Sequence, residues 1–212
     1  MCSISTFNDN NFTQCCDELA IKDKFLSSII HKHGYPPLWK RLPNFETLVH
    51  IILEQQVSLA SAKASLNKLK EKISTITPEN VLMLSETDLR NCYFSRQKTA
   101  YVKHLAQSIV KKHLIIDTLY TLPDEAIRIE LKKIKGIGDW TADVFLMMAL
   151  QRSDLFPAGD IALIKSIKEE MQLSPTTTKA AILELAAQWS PYRTIAAFIL
   201  WHAYIKKRNI KI

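Results

Sequence analysis

The 212-residue chain is long enough to bury a substantial core, in one large domain or in two compact lobes. Its 28 Lys and Arg against 21 Asp and Glu give a formal charge of +7, which favours a polyanionic partner such as nucleic acid. The sequence has no apolar run of about twenty residues and no secretory signal. We therefore expect no membrane partner, and a cytoplasmic (nucleoid-associated) or nuclear location.

The cysteines and histidines exclude the common metal centres. The four cysteines lie in the first half of the chain and form no C-x-x-C pair, so neither zinc nor an iron–sulfur cluster has its usual ligand spacing. The six histidines form no H-E-x-x-H pattern. We expect no cofactor and no catalytic metal.

Almost every segment predicts a helix, which places the chain in the all-α class. Apolar residues at helical spacing predict a first helix over residues 12–33, with Gly34 as its C-terminal signal. A proline-rich connector over residues 35–43 cannot be helical throughout. Later helix starts are marked by residues that favour N-termini, namely Asn44, Ser58, Thr77, Ser85, Ser95 and Pro123.

A glycine turn joins the next two predicted helices, and three of the chain's four glycines fall within residues 131–160. The turn, Gly136-Ile137-Gly138, can adopt φ > 0 and allows another backbone to approach closely. Amides that open a helix lack partners inside it, and with the helix dipole they form a site for an anionic oxygen. Three flanking lysines favour a DNA phosphate: Lys132, Lys133 and Lys135. A helical hairpin with such a turn is also common without this function.

Further helices are predicted after Asp160. The last of them is opened by Ser190-Pro191, and we expect the basic tail over residues 206–212 to fray.

Four blocks of this sequence resemble the helix-hairpin-helix (HhH-GPD) superfamily of DNA glycosylases, specifically its alkylbase branch, DNA-3-methyladenine glycosylase II. They are FETLVHIILEQQVS (45–58), LRNCYFSRQK (89–98), residues 131–160, and WSPYRTIAAFILW (189–201), in the family's order. The resemblance implies two helical lobes with a cleft between them. Some relatives add an N-terminal β-domain, which we do not expect here because too few residues precede Asn44. One departure is Tyr93, where the family usually has glycine. Because φ > 0 disfavours tyrosine, we expect this loop to differ from the relatives.

The resemblance also suggests a division of the chain. Residues 1–43 form an N-terminal helix and connector that pack with the C-terminal lobe, residues 44–150 form a central lobe that ends in the hairpin, and residues 151–212 form a C-terminal lobe with the catalytic aspartate.

Asp160 is the predicted catalytic residue. It precedes an apolar helix, where the helix dipole favours a carboxylate, although a plain N-cap aspartate has the same pattern. The resemblance places the family's catalytic aspartate here. A fixed anion beside C1′ stabilises the positive charge that builds on the sugar as the N-glycosidic bond breaks, and it can orient or deprotonate water. An alkylated purine already carries positive charge, so it leaves without a strong general acid.

Trp140 indicates the subclass. Lyase-type relatives carry a lysine here, which forms a Schiff base with the sugar. Since tryptophan has no nucleophile, we predict a monofunctional enzyme that leaves an abasic site. Trp140 would form an aromatic wall for the flipped base, and the resemblance gives Trp201 a similar role. Phe156 and Tyr192 are weaker base-pocket candidates, with core packing as the alternative.

The resemblance assigns the remaining candidates to DNA binding. Gly136, Gly138 and Thr141 would hold the phosphate 3′ of the lesion, with Lys133 beside them, and the carbonyls of the turn are a candidate site for a monovalent cation. Gln55 and Gln56 lie where relatives push a side chain into the gap left by the flipped base. Gln56 is the predicted wedge, and a solvated helix end is the alternative. Lys165 and Arg193 are further phosphate or structural candidates, with plain surface charge as the alternative.

Together these features predict a monomeric, monofunctional DNA glycosylase of base excision repair. It would flip and excise alkylated bases, such as 3-methyladenine, 7-methylguanine and ethenoadenine, from duplex DNA. The alternatives are a glycosylase for other damaged or mismatched bases, and a non-catalytic helix-hairpin-helix protein that binds DNA.

Overall fold

The computed structural model describes residues 5–210 and is helical throughout. Its α-helices are α1 (Phe12–Lys22), α2 (Lys24–His33), α3 (Phe45–Glu54), α4 (Leu59–Ile73), α5 (Pro78–Met83), α6 (Glu86–Asn91), α7 (Arg96–Val110), α8 (Asp124–Lys132), α9 (Asp139–Met148), α10 (Ile161–Glu170), α11 (Lys179–Ala187) and α12 (Arg193–Lys207). A short 3-10 helix, Ile116–Thr121, was not predicted. No strand forms between residues 5 and 210, so the all-α class is confirmed.

The predicted helix starts are confirmed. The side chains of Asn44, Ser58, Thr77, Ser85 and Ser95 accept from the first amides of their helices, whereas Pro123 precedes α8 without a side-chain cap. The Thr47 amide donates to the Asn44 side chain at 2.9 Å, and Ser58 and Ser95 accept in the same way. Ser85 forms a full capping box with Asp88. Such a cap contributes about 1 kcal/mol, so short helices depend on it strongly.

The prediction of one helix over residues 12–33 is wrong, because Asp23 divides it into α1 and α2. Oδ1 of Asp23 accepts from the amides of Phe25 and Leu26 at 2.8 and 3.1 Å, which makes Asp23 the N-cap of α2. Its Oδ2 accepts the indole N–H of Trp189 at 2.6 Å. A partner distant in sequence therefore stabilises a break that helical periodicity does not reveal. Gly34 ends α2 with φ +79, as predicted.

The basic tail is more ordered than expected in its described part. Lys207 pairs with Glu170, and Arg208 pairs with Glu169 and lies 3.9 Å from the ring centroid of Tyr204. These contacts hold the last turn of α12 to α10. The end of the tail, like Cys2 and the very start of the chain, lies outside the described residues.

The chain divides into two compact units, and α9 passes from one to the other. One unit contains residues 5–40 and 146–210, and the other contains residues 41–145. In the first, α12 is buried at every position from 194 to 203 and packs against α2 and α10. In the second, α3 packs against α4 and α7 and buries a continuous apolar run over residues 51–53. No helix between residues 5 and 210 is long and apolar enough to cross a bilayer.

Tyr93 adopts φ +65 in a turn that ends α6. The Phe94 amide donates to the Leu89 carbonyl at 3.1 Å and the Tyr93 amide donates to the Arg90 carbonyl at 2.9 Å, which is the Schellman pattern. Phe94 and Leu89, the positions whose apolar contact often accompanies this motif, are both buried. The turn thus keeps the left-handed conformation that suits glycine, at a cost of about 1–2 kcal/mol for tyrosine.

Candidate active site and nucleic-acid interface

The turn between α8 and α9 requires glycine at one position. Gly136 has φ +91, and a Cβ atom there would lie 2.1 Å from Cγ of Tyr101. Backbone and packing therefore both exclude a larger residue. Gly138 differs, since its φ is ordinary and a Cβ there would meet no heavy atom within 4 Å. The expected left-handed freedom is used only at Gly136, whereas Gly138 leaves open space where an external group can approach.

Gln55 links the hairpin to the end of α3. Its Nε2 donates to the carbonyl of Gly136 and to Oγ1 of Thr141, both at 2.9 Å. Thr141 is only 2% exposed, so its hydroxyl has little access to an external phosphate. Gln55 and Thr141, two of the side chains that the sequence assigned to DNA contact, are therefore hydrogen-bonded to each other inside the protein, where they fix the shape of the hairpin.

The three lysines beside the turn are not equivalent. Nζ of Lys132 lies 2.6 Å from Asp139, and Nζ of Lys133 lies 2.7 Å from Glu130. The hydrogen bond to Asp139 raises the pKa of Lys132. Between residues 5 and 210, the side chain of Lys135 has no ion pair, and its backbone amide donates to Nδ1 of His104 at 3.1 Å. Lys135 is thus the lysine with an unbalanced charge, which sequence reasoning did not distinguish.

Gln56 lies at an exposed tip between α3 and α4. It has φ +56, and the next residue, Val57, is 45% exposed. The base of the tip is fixed from behind. Nζ of Lys98 donates to the carbonyl of Leu53 at 2.5 Å, and Arg41 forms a bidentate pair with Glu54 at 2.6 and 3.0 Å. The position of Gln56 is compatible with a wedge, and this role stays a prediction.

Asp160 is the N-cap of α10, and two donors reach one of its oxygens. Oδ1 accepts the Leu163 amide at 2.7 Å and the indole N–H of Trp201 at 3.0 Å. The cap predicted from the sequence is therefore present, with a second, distant partner. Asp160 also lines an open groove of about 740 Å³ along α10, together with exposed Ile161 and Lys165.

The four predicted pocket aromatics occupy different environments. Trp201 is 8% exposed, its ring stacks on Phe198 at 5.8 Å, and its indole N–H donates to Asp160. Phe156 is buried against Trp189.

Tyr192 donates its hydroxyl to Glu18 at 2.7 Å, which raises the pKa of Tyr192 to about 12. Phe156 therefore follows the core-packing alternative, whereas Tyr192 is half-buried and its pocket role stays a prediction. Trp140, the second residue of α9, is half-buried.

Arg193 and the Gly136 carbonyl of the candidate cation site each have a partner within the protein. Arg193 pairs with Asp154, with its Nε 2.7 Å from Oδ1, at the start of α12. No cluster of three or more His, Cys, Asp or Glu side chains that could hold a metal ion occurs in the described part of the chain. At the turn, the Gly136 carbonyl already accepts from Gln55, so a monovalent cation there would need other carbonyls.

These observations define an all-α protein with a glycine-dependent helical hairpin and, at the start of a later helix, a hydrogen-bonded carboxylate. Residues 49–191 match the HhH-GPD superfamily base excision DNA repair proteins, and the chain belongs to this family. The resemblance stated from the sequence is thereby confirmed.

Two relatives and one solved structure that this chain matches are named as 3-methyladenine DNA glycosylases. DNA-3-methyladenine glycosylase 1 of Schizosaccharomyces pombe is 28% identical over 85% of this chain and 90% of its own length. A DNA-3-methyladenine glycosylase of Bacillus subtilis is 31% identical over 74% of this chain and 56% of its own length. Among solved structures, the S. pombe 3-methyladenine DNA glycosylase Mag1 in complex with abasic DNA has a TM-score of 0.81 and 27% identity, covering 89% of this chain and 95% of that one.

Proposed function

We propose that the protein is a monofunctional DNA glycosylase that hydrolyses the N-glycosidic bond of alkylated bases in duplex DNA and leaves an abasic site. The observation that carries the proposal is the Asp160 carboxylate, fixed at the start of α10 by the Leu163 amide and the Trp201 indole. The names of the relatives support the same substrate class.

In this mechanism Asp160 stabilises positive charge on the sugar. As the bond to the base breaks, charge develops at C1′, and an anion held in place by two donors needs no reorganisation at that moment. The same carboxylate orients the attacking water. An alkylated purine is a good leaving group because it is already cationic, so a second carboxyl acid is not required.

Trp140 has no nucleophilic atom, so the reaction ends with hydrolysis and not with a Schiff base. Trp140 is half-buried, and its role in this proposal is to stack on the electron-poor base. Trp201, by contrast, is a positioning residue for Asp160, because its ring is packed inside its own unit and its N–H reaches Oδ1.

Duplex DNA is the proposed partner, held through the hairpin. Helix-opening amides of α9 and the open space at Gly138 suit a phosphate oxygen, and the unbalanced charge of Lys135 adds attraction. Action as a monomer and the domain boundaries at residues 43 and 150 are parts of the same proposal.

The proposal is tested by base release. Duplexes with 3-methyladenine, 7-methylguanine, ethenoadenine or 8-oxoguanine are incubated with the protein, and free base is measured. We expect release of the methylated bases, loss of release in Asp160→Asn, and retained DNA binding in that variant. Asp23→Asn is the matched control, since Asp23 is also an N-cap that accepts a tryptophan N–H. No release from any methylated duplex would refute the proposed activity.

A further inference from the structure

The carboxamide of Gln55 joins two loops that are distant in sequence. Its two N–H groups are both used, one on the Gly136 carbonyl in the turn and one on the Thr141 hydroxyl in the first turn of α9. The partners are 81 and 86 residues away along the chain. Because the bonds are partly buried, water competes with them poorly, and they hold both sides of the hairpin to the end of α3.

The residue after Gln55 is the exposed tip residue Gln56. Fixing the side chain of Gln55 therefore fixes the backbone that presents Gln56, whose φ of +56 is itself unusual for a residue other than glycine. A change in the position of the hairpin must move this tip, since the two hydrogen bonds connect them directly.

One face of α7 supports both loops from behind. Lys98 donates to the carbonyl of Leu53 below the tip, Tyr101 packs against Gly136, and His104 accepts from the Lys135 amide. These positions are spaced three residues apart and lie on neighbouring turns of the helix. The tip and the turn thus have a common support as well as a direct link.

We propose that Gln55 is a positioning residue that holds the Gln56 wedge in register with the phosphate-binding turn, and that it does not itself contact DNA. When the turn binds the phosphate beside a lesion, Gln56 is then at a fixed distance from the gap that the flipped base leaves. This inference rests on the proposed function, because it assigns Gln55 a role in the same base-flipping reaction.

The test compares Gln55→Ala, Gln56→Ala and the double variant. Excision of 7-methylguanine is measured in single turnover, and 2-aminopurine fluorescence beside a tetrahydrofuran abasic analogue reports unstacking at the gap. We expect Gln55→Ala to slow excision about tenfold, the scale of two lost hydrogen bonds. The double variant should be no slower than the slower of the two single variants, because both changes disable one wedge. Binding of undamaged duplex should be unchanged.

Two controls separate positioning from simple loss of structure. Thr141→Val removes one of the two acceptors in a buried site of similar shape, and we expect a smaller loss in the same direction. Gln107→Ala, at an exposed glutamine of α7, should behave as the wild type in every assay.

Effects that multiply in the double variant would overturn the proposal, since Gln55 would then act independently of Gln56. An equal loss of binding to undamaged DNA in Gln55→Ala would also overturn it. If the wild type released no base, the proposed activity would fail, while the fluorescence measurement on the abasic analogue would still decide whether Gln55 positions Gln56.

Discussion

Replacing Gly136 by alanine tests the central claim about the hairpin. The new Cβ would lie 2.1 Å from Cγ of Tyr101, an atom that rotation of the ring about χ2 leaves in place. Overpacking of this kind costs about 1–3 kcal/mol, and φ +91 adds strain of about 1–2 kcal/mol. The sum, about 2–5 kcal/mol, is a large part of a typical total stability of about 5–15 kcal/mol.

Urea denaturation followed by circular dichroism measures the effect. Gly136→Ala is also made in a Tyr101→Ala background, where the ring is absent and only the backbone strain remains. The cost of Gly136→Ala should therefore fall to about 1–2 kcal/mol in that background. An equal cost in both backgrounds, or a cost below about 0.5 kcal/mol in the wild type, would refute the packing argument.

Gly138→Ala is the matched variant, since a Cβ there meets nothing within 4 Å. Its stability should stay within about 0.5 kcal/mol of the wild type. If a phosphate approaches the opening amides of α9, the added methyl displaces it, and affinity for duplex DNA should fall at least about tenfold, as for one lost charge-assisted hydrogen bond. Unchanged DNA affinity in a stable Gly138→Ala variant would mean that the phosphate binds elsewhere.

Three further outcomes are expected. Tyr93→Gly should raise the free energy of unfolding by about 0.5–1 kcal/mol in urea denaturation, because it relieves left-handed strain at a 63% exposed side chain. Lys135→Ala should weaken DNA binding evenly across sequences and lower the slope of log affinity against log salt by about 1, whereas Lys133→Ala should do less because Glu130 balances its charge. Burial lowers the pKa of His50 below 6.5 despite Glu54 nearby, so the unfolded chain binds the proton more readily. Stability should therefore fall as the pH drops below about 6.5, and His50→Gln should reduce this fall in denaturation series from about pH 7 to about pH 5.

The parts of the fold that sequence predicts are those decided within a few residues. Asn44 and Ser58 cap helices because each meets an amide three positions on, and the pattern is visible in the printed sequence. The break at Asp23 has a local cap of the same kind, from the Leu26 amide, and a second contact from Trp189, which is 166 residues away. Helical periodicity continues across Asp23, so periodicity alone does not show that the cap ends the first helix.

The same limit applies to the candidate site. Resemblance placed Gln55, Thr141 and Trp201 near DNA or base, but it could not show which of their atoms are already engaged. The indole of Trp201 and the carboxamide of Gln55 bond to groups 41 and 81 residues away. Both side chains therefore support neighbouring residues. In the proposed reaction, Asp160 acts on the sugar and Gln56 enters the gap left by the flipped base.

Asp23 and Asp160 show why capping geometry alone does not identify a catalyst. Each carboxylate opens a helix and accepts a tryptophan N–H, from Trp189 or Trp201. Asp23 divides its donors between two oxygens, with both amides on Oδ1 and the indole on Oδ2, whereas at Asp160 the amide and the indole meet on Oδ1. Asp160 also lines an open groove. The local pattern of an aspartate before an apolar helix is thus shared by a structural carboxylate, and the function of Asp160 has to be argued from the groove, the shared oxygen and its place in the family motif.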